Sequence, residues 1–315
     1  MYESLLKLDQ LKLHFSSEGQ FGINIILGLI MFGVALEIKT EHFRSIVQNP
    51  QPFIIGFINQ NFIIPFAAFC IVILLGNLIT PTVAMGMILV AACPGGNISN
   101  FMTNFAKGNT ALAVSLTATT TLLAIFFTPF NFALWGKLYV NYMNSHSTHL
   151  LQPIVIDPFE MFYTVFILLG IPLVIGIFVS WKFPAFTAKI VKPVKNGSVF
   201  VFLGLVVLAF ANNFDLFIHY IFFIFILVLL ENGLAFFIGY GVSRIFRLSD
   251  PNVRAITIES GIHNAGLGLA LLFNPRIFPS NLAIGGMFFI AGWWGIWHIV
   301  SGLIISYFWS KKQIA

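Results

Sequence analysis

Apolar residues dominate this chain in nine long runs, at 21–38, 52–76, 82–106, 109–136, 159–181, 198–214, 217–246, 252–273 and 281–309. Short polar connections separate them. Crossing a bilayer as an α-helix takes about 20 mostly apolar residues, and the runs are of that order. None alternates apolar and polar positions along its length as a barrel strand does. The pattern therefore predicts an all-α polytopic membrane protein with about nine transmembrane helices.

Composition narrows the class further. Hydrophobic residues make up 58% of the 315 and charged residues 9%, whereas a soluble domain carries roughly a quarter charged residues. So few charges cannot cover a globule of this size with a water-compatible surface. That excludes a soluble enzyme, a nucleic-acid binder and a disordered chain. The net charge of +5 follows from where the basic residues fall. One set of connections holds Lys39, Arg44, Lys107, Lys182, Lys189, Lys192, Lys195, Arg244, Arg247, Arg254, Lys311 and Lys312, while the opposite set holds Lys7, Lys12, Lys137 and Arg276. This bias places the N-terminus outside and the C-terminus in the cytoplasm, as a multi-pass protein of the plasma (inner) membrane. Cys70 and Cys93 lie inside apolar runs and imply no disulfide framework. Residues 1–20 lack the pattern of a secretory signal. This N-terminal extension, with Leu5, Leu6, Leu8 and Leu11 clustered, is either an amphipathic surface helix or disordered.

Two runs are interrupted. The third contains Cys93-Pro94-Gly95-Gly96-Asn97-Ile98-Ser99-Asn100, where a proline removes a helix hydrogen bond and a glycine pair frees the backbone. The eighth contains Glu259-Ser260-Gly261-Ile262-His263-Asn264-Ala265-Gly266. Irregular backbone at membrane depth survives only when buried in protein or lining a wet cavity. Each broken run sits between two long continuous ones, and the two run in opposite directions through the membrane. This is the pattern of inverted-topology repeats with two broken, crossing helices, common in secondary transporters. Core repeat one is 52–136 and core repeat two 217–309; 21–38, 159–181 and 198–214 lie outside both, and 183–197 reads as a cytoplasmic linker. The symmetry points to a five-plus-five design lacking its first helix. Half-helix N-termini suit an anion, and unwound carbonyls with Asn, Ser, Thr and Glu oxygens suit a small hard cation. The broken pair thus predicts coupled transport of an anion with a cation.

At these residues the chain resembles the bile acid:sodium symporter family, over about residues 25–308. The resemblance rests on Leu29-Ile30-Met31-Phe32-Gly33, Gln60 with Pro65, Cys93 through Asn100 to Met102-Thr103, and Lys107-Gly108-Asn109. It continues through Ala111-Leu112, Thr120-Thr121-Leu122, Thr128-Pro129, Glu259 with Gly261 and Asn264, Trp297-His298 and Ser301-Gly302. It implies the nine-helix type found among bacterial members. The panel domain would be formed by 21–38, 159–181 and 198–214, and the core by the two triplets. It also implies a sodium-coupled symporter importing an organic anion, such as a bile salt or a small organic acid, by alternating access. No cofactor beyond the coupling sodium ions is implied. By position, the first sodium site would use Ser99, Asn100, Thr117 and Glu259. The second would use Gln60, Glu259 and His263 with the carbonyls of Ser260 and Ile262. Ala113 stands where related sequences often carry serine, and His263 where glutamine is usual. Asn97, Asn264 and His298 would face the substrate, and Ile299 follows His298 where asparagine is common.

Placing the Glu259 carboxylate at mid-membrane costs about 2.5–3.5 kcal/mol, which a bound cation or a proton offsets. His263 either titrates, which would make transport proton-coupled or pH-sensitive, or fills the glutamine's place as a neutral imidazole. Glu231 is a second acid within an apolar run, read as a proton site, a cavity-facing partner or a protonated side chain packed in the bundle interior. Glu259 and His263 as the acid and base of an intramembrane enzyme lack any accompanying nucleophile or His-Glu-x-x-His pattern, so no enzyme is expected. A channel or receptor on the same fold is a further alternative. His146, His149 and Asp157 match no strong metal-ligand spacing.

Overall fold

The computed structural model describes residues 2–9, 17–38, 50–146, 158–211, 214–274, 276–279 and 282–312, and among these it consists of helices joined by short turns and loops, with one isolated bridge. After α1 (Tyr2–Asp9) and α2 (Ser17–Leu36) comes one apolar run in which α3 (Pro50–Ile58) passes through a π turn (Asn59–Ile63) into α4 (Ile64–Leu75). There follow α5 (Pro81–Ala92), α6 (Ile98–Phe105) and α7 (Thr110–His146). α8 (Pro158–Val165) enters a second π turn (Phe166–Gly170) and continues as α9 (Ile171–Lys182). The chain ends with α10 (Pro184–Ala211), α11 (Phe214–Ile245), α12 (Asp250–Gly261), α13 (Ala265–Leu272) and α14 (Gly285–Ser310). Proline opens α3, α5, α8 and α10, where its missing N–H is one the helix leaves unpaired anyway.

Five helical runs are long and apolar enough to cross a membrane: Pro50–Leu78, Thr110–His146, Phe159–Lys182, Ile218–Ile245 and Gly285–Ser310. The remaining expected spans fall on α2, on α10, and on the pairs α5/α6 and α12/α13, each pair broken where proline, glycine or polar residues interrupt the sequence. The structure moves several boundaries. α7 runs to His146 rather than residue 136, because its last turns carry Tyr139 and Met143 into the core. Of the expected linker 183–197, residues 184–197 are helical and belong to α10. Arg254, grouped with the connections by its charge, lies inside α12 and is buried. There it donates to the carbonyls of Ala106 (2.7 Å) and Trp309 (3.1 Å), so its cation serves the C-terminal ends of α6 and α14.

The N-terminal extension is neither a free surface helix nor loose where it is described. Leu5 and Leu8 of α1 are fully buried in the main core cluster, with Ile79, Val83, Tyr139 and Phe288 among its members. The Asp9 carboxylate at the end of α1 accepts a hydrogen bond from Thr82, which in turn accepts from the Gly286 N–H. Residues 10–16, 39–49, 147–157 and 313–315, and with them Leu11, Lys12, Lys39, Arg44, His149 and Asp157, lie outside the described residues. The two cysteines are free, Cys93 buried and Cys70 half-buried. No cluster of three metal-binding side chains occurs among the described residues.

α2 lies against α9 and α10, whereas α5 packs on α14 and α4, and α12 on α11. The contact of α5 with α14 is a backbone approach: a Cβ on Gly86 would meet the Met287 Cα. At the π turn the sequence explains a polar pair buried at this depth. Pro65 cannot donate to the Asn61 carbonyl four residues earlier, and Asn131 on α7 supplies the missing donor at 2.9 Å. Asn131→Ala should therefore lower the thermal midpoint in detergent, by roughly 1–3 kcal/mol for the orphaned carbonyl. In a Pro65→Ala background, where an N–H is restored, the loss should shrink; an equal loss in both backgrounds would show that Asn131 acts otherwise.

Candidate functional site

The two helix breaks cross each other. Gly96 N–H donates to the Ile262 carbonyl at 2.8 Å, and Asn264 N–H donates to the Pro94 carbonyl at 2.8 Å, forming a single antiparallel bridge between Gly95 and His263. Four helix ends therefore converge there: the C-termini of α5 and α12 and the N-termini of α6 and α13. The first pair presents partial negative charge and the second partial positive charge. Gly95 is required by closeness, because a Cβ at this position would overlap the Glu259 carboxylate.

Glu259, in the last turn of α12, is buried at 2% exposure. Ser99 Oγ donates to its Oε2. Thr117 Oγ1 of α7 lies 2.8 Å from Glu259 Oε1, 2.9 Å from the Ala113 carbonyl, 3.2 Å from Asn100 Oδ1 and 3.4 Å from Ser99 Oγ. The structure thus brings together all four residues that the resemblance assigns to the first sodium site. Their proton count is informative. Two hydroxyl protons serve a cluster containing a carboxylate, two hydroxyl oxygens, an amide oxygen and a main-chain carbonyl. A hydroxyl donates once and accepts twice, so oxygen lone pairs outnumber protons. A small hard cation, which takes oxygen ligands, fits that donor set.

The residues of the second expected site are arranged differently. Gln60 lies in the first π turn, buried, with both amide atoms lacking a hydrogen-bond partner. Asn59 beside it donates to Ser260 Oγ at 2.6 Å, which pins the turn against α12. The Ile262 carbonyl already accepts the Gly96 N–H and retains one lone pair. The His263 ring is buried, stacks on Trp294 at 5.2 Å between centroids, and has no hydrogen-bond partner on either nitrogen. It shares a narrow cavity with Glu231, whose two oxygens are also unpartnered, along with Ile64, Ala68 and Trp294. That cavity has about 10 Å³ of free volume, room for one water.

Of the expected substrate residues, Asn264 caps α13 by accepting the Leu267 N–H at 3.1 Å, which commits its side-chain oxygen and leaves its amide nitrogen as the available donor. Asn97 is half-buried at the start of α6 and makes no side-chain cap. His298 is buried in α14 with Nδ1 unpartnered. Sequence reasoning passed over Asn232. It donates to the Gly261 carbonyl (2.7 Å) at the end of α12 and accepts from Ser301 of α14 (2.7 Å). Its position next to Glu231, in the middle of an apolar run, was the available signal. His146 is exposed and stacked on Tyr142.

Comparison with known proteins identifies the family. The model of the sodium bile acid symporter family matches residues 24–220. The chain is similar to the uncharacterized sodium-dependent transporter YocS of Bacillus subtilis, with 32% identity over 92% of this chain and 83% of that protein. It is also similar to the probable chloroplastic sodium/metabolite cotransporter BASS2 of Oryza sativa (29% identity over 82% of this chain). A third relative is the rabbit ileal sodium/bile acid cotransporter (29% identity over 59% of this chain). The chain spans 59% of the rice protein and 50% of the rabbit one. These relatives are transporters and not enzymes, and with several apolar helices the chain is a multi-pass membrane protein. It belongs to the sodium bile acid symporter family.

Proposed function

We propose that this chain is a sodium-coupled symporter that imports an organic anion by alternating access. In this reading nine spans cross the plasma (inner) membrane with the N-terminus outside. The helices α2, α8/α9 and α10 form a panel, and the two triplets around the broken helices form a core that rocks against it. The observation that carries the proposal is the excess of oxygen lone pairs over protons where Ser99, Asn100, Thr117 and Glu259 meet. Sodium in that cluster compensates the buried Glu259 charge and fixes the end of α12. That in turn sets the crossing strand through Ile262 and the donor of Asn264. An organic anion then meets the N-termini of α6 and α13, with Asn97, Asn264 and His298 nearby. A second sodium site at Gln60, Glu259, His263 and the carbonyls of Ser260 and Ile262 is supported by the unpartnered Gln60 amide. It is weakened by the imidazole and by the engaged Ile262 carbonyl.

The substrate is proposed as a bile salt or a small organic acid. Proteoliposomes with an inward sodium gradient should accumulate labelled taurocholate or pantoate, and the same vesicles in potassium should not. Uptake that follows a pH gradient and ignores sodium would favour the proton-coupled alternative. Conductance without saturation would favour a channel, and binding without uptake a receptor.

Ala113 supplies a sharper test of the cation cluster. It is fully buried beside Thr117, and serine adds one oxygen for almost no volume. Ala113→Ser should lower the sodium concentration for half-maximal stabilisation severalfold, by analogy with the 0.5–1.5 kcal/mol of one added polar contact. An unchanged or raised sodium requirement would place the ion elsewhere.

A further inference from the structure

Between Glu160 and Asp215 the sequence contains four lysines and no acidic residue. Lys182 ends α9, and Lys189 and Lys192 lie in the first turns of α10. All three are exposed, and no ion pair joins any of them to a described carboxylate. Around them Trp181, Phe183 and Phe186 are exposed at 72%, 51% and 54%. Phe186, Lys189 and Lys192 follow at three-residue intervals and so share one side of α10. Thr187, on another side, is buried against α9 through the Val179 carbonyl.

The length of α10 fixes the depth of this surface. Its uninterrupted apolar part, residues 199–211, is 13 residues long. At 1.5 Å per residue that reaches about 20 Å, short of the roughly 30 Å hydrocarbon layer. To cross, α10 must draw the lysine-bearing turns before residue 198 into the cytoplasmic leaflet. A stretch too short for the bilayer is accommodated by local thinning and by flanking lysines that extend to the interface. The lysine ammonium groups then sit at the depth of the lipid phosphates, with aromatic rings beside them as at other membrane interfaces. In the orientation proposed above, that leaflet faces the cytoplasm.

We propose that the hairpin joining α9 and α10 is a binding surface for anionic phospholipid headgroups. Each lysine near an anionic surface contributes roughly a fivefold preference, about a hundredfold for three. The test compares the unfolding midpoint of the full chain in neutral detergent micelles doped with phosphatidylglycerol or with phosphatidylcholine, in 0.1 M potassium chloride. Phosphatidylglycerol should raise the midpoint and phosphatidylcholine should not. The difference should vanish in a Lys182→Gln, Lys189→Gln, Lys192→Gln variant. On the unaltered protein it should also vanish in 1 M potassium chloride, where the screening length falls from about 10 Å to about 3 Å; this decides the matter if the variant does not fold. Equal midpoints with both lipids, or a preference that survives in the variant or in high salt, would overturn the proposal. So would an equal rise caused by inorganic phosphate, which would indicate a free-anion site. None of these lysines approaches the Glu259 cluster, so stabilisation by sodium is read separately and stands or falls on its own.

Discussion

Everything in this fold is arranged around two backbone hydrogen bonds, Gly96 N–H to Ile262 and Asn264 N–H to Pro94, made where two helices stop short and cross. An interrupted helix in a membrane leaves polar main-chain groups that lipid cannot satisfy. Each break satisfies part of the other's deficit, so neither interruption is tenable alone. What the bridge leaves over is the functional material: helix ends of both signs, carbonyls near the crossing, and the Glu259 side chain that lies against Gly95. Surrounding side chains are committed to holding it. Asn232 takes the Gly261 carbonyl, Asn59 anchors Ser260, and Arg254 closes the C-terminal ends of α6 and α14.

The architecture was largely legible in the sequence because the bilayer imposes two simple rules, on apolar length and on backbone satisfaction. The breaks announced themselves through Pro94, Gly95 and Gly96 in one run and through the polar Glu259–Asn264 stretch in the other. The cluster of Ser99, Asn100, Thr117 and Glu259 followed from a resemblance carried over residue by residue, and the structure assembles it. Tertiary matters were not legible. No local pattern says that α1 buries Leu5 and Leu8 in the core, because an amphipathic helix looks the same on a lipid surface as on a protein one. Nor does a charge count show that Arg254 is buried inside a helix, since a guanidinium capping carbonyls of two distant helices leaves no mark in its own neighbourhood. The π turn escaped for a related reason: Pro65 marks a defect, but the side chain that repairs it is 66 residues away at Asn131.

His263 stands where the resemblance implies a glutamine of the second sodium site. Its unpartnered ring shares a space for one water with the unpartnered Glu231 carboxyl, and the Gln60 amide is unpartnered too. In the proposed reading, occupation of the first sodium site alone would carry a monovalent anion across with no net charge.

The most direct test of this account needs no substrate. Thermal unfolding of the purified protein is compared in sodium and in potassium at equal ionic strength, for the unaltered chain and for Glu259→Gln. A ligand that binds only the folded state at 100 times its Kd stabilises it by about 2.7 kcal/mol. The account predicts a sodium-specific rise in the midpoint that saturates in the unaltered chain and is absent in Glu259→Gln. Equal midpoints in the two salts, or a sodium effect that survives the loss of the Glu259 charge, would contradict it.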